Sequence, residues 1–156
     1  MKMAWMLLAV ASVGAAATTL TGDKALVIPG QDIKTQFDAI VPQAKPTGSA
    51  GPVIANYGNL GLMLSVRTAN GVGELHQNFD DLMIVKKGSA TLITGGTLVD
   101  PKTVSDGELR GTSVKDGVSK TLVEGDVVIV PAGVPHQLLI PPGTVYESLV
   151  AKVKEK

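Results

Sequence analysis

The chain contains no cysteine. Disulfides, thiolate metal sites and cysteine nucleophiles are therefore all excluded. Aromatic residues make up only 3% of the sequence, too few for the stacking platforms that single-stranded nucleic acid requires. Neither sign of charge is in excess: Lys plus Arg number 14, and so do Asp plus Glu. No overall field draws in nucleic acid or an anionic membrane. The sequence has no nucleophile elbow, phosphate loop or zinc-protease helix, and Gly71-x-Gly73 lacks the rest of a dinucleotide fingerprint.

What is present points to one globular domain. The 156 residues are 44% hydrophobic and 18% charged, a composition that buries a core and is not that of a disordered chain. At the start, Lys2 precedes an apolar run at residues 4–13 (AWMLLAVASV), and Ala15 and Ala17 satisfy a small-x-small pattern. This order of charge, apolar run and small residues predicts a secretory leader over 1–17, with a mature chain starting near Thr18. The run is too short to span a bilayer as a stable helix. No cysteine follows it to carry a lipid anchor. The expectation is a secreted or periplasmic protein that is soluble, and free of the membrane, once the leader is removed. A buried amphipathic N-terminal helix is the plainer alternative.

Residues 18–52 then read as a helix and a linker. Ile33, Phe37, Ile40 and Val41 share a face at helical period over residues 31–41, between Pro29-Gly30 and Pro42. Residues 45–52 (KPTGSAGP) are loop by composition. From Val53 the texture changes to short β-rich runs. Strands are predicted at 62–68, 82–86, 90–94, 121–123, 127–130, 137–140 and 145–153, with tight connections at Lys87-Gly88 and Glu124-Gly125-Asp126. Residues 95–117 are polar and rich in Gly and Asp. They read as a solvated excursion over one end of a sandwich or barrel, or a lid.

The strongest local signal is GDVVIVPAGVPH, from Gly125 to His136. Its chemistry is legible: a buried strand leads to a Pro131-x-Gly133 bend, which throws the His136 imidazole toward a barrel mouth. The spacing of Gly125, Pro131, Gly133 and His136 resembles the second motif of the cupin family, although Ile140 stands where that family has an asparagine. GVGELHQNFDDLMIVKKG, from Gly71 to Gly88, resembles the first motif with departures. His76 stands for its first histidine, one residue early after Gly71, and Asn78 takes the place of the second. Asp81 keeps the carboxylate spacing to Gly88, with Asp80 as a rival.

The resemblance spans residues 53–153. It implies an all-β cupin-type jelly-roll barrel over 53–156, preceded by the short N-terminal helix. It implies a divalent transition metal (Fe, Mn, Ni, Cu or Zn) held by His76, His136 and Asp81, with Asn78 as a weak fourth ligand; Zn and its neighbours accept this nitrogen and oxygen set. The chain's two histidines both fall on motif positions. With Asp81 pointing inward, Met83 and Val85 share its face. Arg67 offers a cation to an anionic substrate or, more plainly, a surface salt bridge. The function expected is an exported metal-binding enzyme of dioxygenase, isomerase or lyase type acting on a small oxygen-rich molecule. The alternative is a non-catalytic, small-ligand-binding or metal-free module of the cell envelope. The resemblance also implies pairing as a homodimer.

Overall fold

The computed structural model describes residues 18–19 and 25–155. The expected leader, residues 1–17, lies outside the described residues. After a short strand β1 (Thr18–Thr19), helix α1 runs Gly30–Ala44. Its first turn begins on the carbonyl of Pro29, which accepts from the amides of Asp32 and Ile33. The helix is longer than its sequence pattern because Pro42 does not stop it. In the last turn that proline removes only one internal hydrogen bond.

Strands β2 (Ser49–Ala50), β3 (Val53–Tyr57), β4 (Leu60–Arg67), β5 (Gly73–His76), β6 (Phe79–Lys87) and β7 (Ala90–Thr94) follow. Next come β8 (Thr97–Val99), β9 (Lys102–Ser105), β10 (Glu108–Gly111), β11 (Ser113–Lys115) and β12 (Val118–Leu122). The chain ends on β13 (Val127–Val130), β14 (His136–Leu139) and β15 (Tyr146–Lys154). A seven-stranded sheet has the order β1-β3-β4-β15-β6-β13, with β2 also on β4; a six-stranded sheet has the order β12-β7-β14-β5-β10-β9. Apart from the parallel β1–β3 pair, the pairings are antiparallel. This is the all-β jelly roll with one N-terminal helix.

Period-two alternation assigns the two faces of the large sheet. On β4, Leu64 and Val66 point outward and are buried beneath Phe37, Ile40 and Ala44 of α1. Met63, Ser65 and Arg67 point the other way, into the space between the sheets. There Met83, Val85 and Val150 pack with Leu92 and Leu138 from the second sheet. Each such side chain, fully buried, stabilises the fold by about 1.5–3 kcal/mol. Asp81 does share its face with Met83 and Val85, all three being buried.

Residues 95–117 are corrected by the structure: they are four strands, β8 to β11. β8 and β11 pair as a ribbon, while β10 pairs with β5 and extends the six-stranded sheet. The strands are only three or four residues long, too short for alternation to stand out from loop composition. Their inward residues, Leu98 and Val114, are buried. Gly73 permits the close approach, since a Cβ there would meet Ser113 O at 2.7 Å.

Candidate metal centre

Two strands of the six-stranded sheet carry the two candidate nitrogen ligands. β5 presents Glu74 and His76 on one face, and β14 places His136 directly opposite Glu74. The bend before β14 is fixed from two sides. Gly133, at φ +78°, donates its amide to His76 O at 2.7 Å, and the Ala132 amide donates to Asp80 Oδ1 at 2.8 Å. Glycine is required at residue 133 by that backbone conformation, since a Cβ there would meet nothing. Asp80 is thus a support of the bend. From the facing sheet, β6 contributes Asp81.

The two imidazoles lie with ring centroids 5.1 Å apart, and both histidines are about 95% buried, at 3% and 5% exposure. His76 Nε2 stands 3.3 Å from Asp81 Oδ2 and 3.7 Å from Glu74 Oε2. His136 Nε2 stands 3.8 Å from Asp81 Oδ2 and 4.0 Å from Glu74 Oε2. Ligand atoms of Glu74, His76 and His136 all lie within 4.8 Å of one another. Each carboxylate turns its other oxygen to a cation: Glu74 Oε1 accepts from Arg67 at 3.0 Å, and Asp81 Oδ1 from Lys152 at 2.7 Å.

The Nδ1 atoms set the tautomers. His76 Nδ1 is 2.6 Å from Glu108 Oε2, and His136 Nδ1 is 3.1 Å from Val134 O. Both partners are acceptors, so each Nδ1 donates, which leaves each Nε2 to face the cluster. His76 Nε2 is buried without a hydrogen-bond partner, even with Asp81 nearby. Burial alone would raise the Glu74 carboxyl, but Arg67 and then Arg110 hold it below the usual carboxylate range. Burial likewise opposes ionisation of Asp81, yet His76 and Lys152 bring it low. Burial pushes His136 below the ordinary imidazole range. For His76 burial pushes the same way, but the Asp81 carboxylate outweighs it and the net direction is up.

A metal fits these residues. Ligand atoms about 2.0–2.2 Å from a transition metal stand roughly 3–3.5 Å from each other. The observed histidine–carboxylate separations of 3.3–4.0 Å approach that, and the ligand atoms of Glu74, His76 and His136 all lie within 4.8 Å. Imidazole Nδ1 atoms held by a carboxylate and a carbonyl are the usual outer support of such ligands.

The structure brings His76, Asp81 and His136 together. It does not put Asn78 with them: β5 ends at His76, so strand alternation does not carry to residue 78. The Asn78 side chain instead lies under the β9–β10 turn, where a Cβ on Gly107 would come within 2.2 Å of its Nδ2. Glu74 joins the cluster in its place. Its signal was in the sequence as Glu74-x-His76, an alternation running backward from His76. Arg67 is corrected from a surface residue to a lining residue, its side chain 18% exposed. Glu108 and Arg110 come from β10, inside the segment read as loop, and no local signal marked them.

No protein-family model matches the chain, and no curated protein sequence matches it. Solved structures do. BH2720 from Bacillus halodurans superposes with a TM-score of 0.57 at 12% identity, over 86% of this chain and 85% of that one. The polyketide cyclase RemF from Streptomyces resistomycificus gives 0.51 at 17% identity, over 69% of this chain and 66% of RemF, just under two thirds of its length. A cupin superfamily protein, DSY2733 from Desulfitobacterium hafniense DCB-2, gives 0.48 at 16% identity, over 69% and 78%. At such identities the likeness is one of fold. What the likeness shows is the fold, a jelly roll built mainly of two antiparallel sheets. Between them lies the cluster of Glu74, His76 and His136, a donor set able to hold a metal ion.

Proposed function

We propose that this chain is an exported, metal-binding cupin enzyme acting on a small oxygen-rich molecule, by dioxygenase, isomerase or lyase chemistry. The observation that carries it is the cluster of Glu74, His76 and His136, whose ligand atoms lie within 4.8 Å of one another, with Asp81 Oδ2 3.3 Å from His76 Nε2 and 3.8 Å from His136 Nε2. These four residues would hold a divalent Fe, Mn, Ni, Cu or Zn ion. Such an ion, when bound, polarises a substrate oxygen or activates dioxygen. The protein's share is positional. Glu108 and Val134 hold the imidazoles, Arg67 and Lys152 keep the two carboxylates charged, and Met63, Met83, Leu138 and Val150 line the apolar side of a cavity of about 190 Å³.

One observation favours the second reading, a metal-free binding module. Lys152 already neutralises Asp81 at 2.7 Å without any ion. Metal analysis of untagged protein from its native compartment separates the two. A stoichiometric transition metal, lost in His76→Ala and His136→Ala variants that still fold, supports the enzyme reading. Wild-type protein that cannot take up metal overturns it. Export is tested by intact mass, which should place the mature N-terminus near Thr18. Product retaining Met1 refutes the leader.

A further inference from the structure

Three cationic side chains line the cavity: Arg67, Arg110 and Lys152. Three carboxylates answer them, with Glu74 and Asp81 in the lining and Glu108 directly behind His76 and Arg110. The set is formally balanced only while no metal is present. A dication would leave a surplus of two positive charges around a half-open cavity, and such a surplus favours a bound anion.

Arg67 shows where part of that anion belongs. Its Nη2 donates to Glu74 Oε1 at 3.0 Å, while its Nε is buried with no hydrogen-bond partner among the described residues. A buried guanidinium donor facing no acceptor is uncommon in a folded protein. The distance to be bridged is short. Glu74 itself reaches from Arg67 through Oε1 to the two histidines through Oε2, so one carboxylate's width separates the guanidinium from the metal locus. The size is also bounded: about 190 Å³ corresponds to roughly six water molecules.

We infer that the ligand of this cavity is a small dianion, one oxyanion group bound at the metal locus and the second, a carboxylate, paired with Arg67. This rests on the metal-site reading above. A charged guanidinium N–H makes a strong hydrogen bond to a carboxylate, and here Nε is the donor left for one. Arg110, bonded to Glu108 and 3.9 Å from Glu74, adds charge on the same side.

The test uses zinc-loaded full-length protein with two probes, malonate and its mono-amide, malonamate. Both keep one carboxylate for the metal, and only malonate offers a second. After zinc stoichiometry is measured, calorimetric titration at fixed pH should give malonate the tighter binding by at least about tenfold. In Arg67→Gln that preference should fall below about threefold. If Arg67→Gln does not fold, Arg67→Lys keeps a cation beside Glu74 but loses Nε, and it should cut the preference by about threefold or more. Equal binding of the probes to wild type, or an undiminished preference in the variant, overturns the inference alone. Failure to take up zinc overturns the metal reading and this inference with it.

Discussion

His76 is held differently at its two ring nitrogens, by Glu108 at 2.6 Å from Nδ1 and more loosely by Asp81 at 3.3 Å from a buried Nε2. Glu108→Gln keeps the shape of that support and removes its charge. Zinc affinity should fall by roughly tenfold or more, read by competition against a chelating dye, with the melting temperature little changed. The neighbouring aspartates separate in the same assay. Asp81 faces both histidines, whereas Asp80 accepts the Ala132 amide. Asp81→Asn should weaken metal binding and Asp80→Asn should not, because an asparagine oxygen still accepts that amide. The reverse order would move the ligand role to Asp80. Asn78 lies against Gly107 and not in the cavity lining. Asn78→His is therefore expected to leave zinc affinity within about threefold of wild type. A gain of roughly tenfold would put residue 78 at the metal after all.

At the scale of elements, the β9–β10 turn ties the segment 95–117 to the site. Gly107 adopts φ +70°, its carbonyl accepts the Gln77 amide at 2.7 Å, and Asn78 fills the space beneath it. The next residue is Glu108, the partner of His76. Gly107→Val strains the backbone and collides with Asn78. The expected cost is about 1–3 kcal/mol of stability, seen by denaturant unfolding. Zinc affinity should weaken alongside, because β10 loses its register on β5. Unchanged zinc affinity in a destabilised variant would show that β10 does not position the histidine.

For the whole molecule, the large sheet separates two jobs. Its outer face packs on α1 through Leu64 and Val66, and its inner face carries Asp81, Met83 and Val150. Phe37 is 2% exposed under the helix. Phe37→Ala should cost about 3–5 kcal/mol while zinc affinity of the folded protein stays at the wild-type value. A matched loss of affinity would mean that the helix face and the site are coupled through the sheet.

Local chemistry in the sequence was enough for the jelly roll, the α1 face, the bend at Pro131 and the placement of His76, Asp81 and His136. Each of these depends on period, turn residues or motif spacing within a few positions along the chain. Ala90–Thr94 and Val127–Val130 have the same limits in sequence and structure, because turn residues bound both. Glu74 was legible only as an alternation from His76, while Glu108, Arg67 and Arg110 were decided by tertiary structure. Glu74 faces the site because it shares a face of β5 with His76 and lies opposite His136, and Glu108 because β10 pairs with β5, setting Glu108 opposite His76. Arg67 lies inside because α1 covers the opposite face of β4. Such juxtapositions join residues far apart in the chain, 32 positions for His76 and Glu108, and strands of three or four residues carry too little pattern to announce their partners.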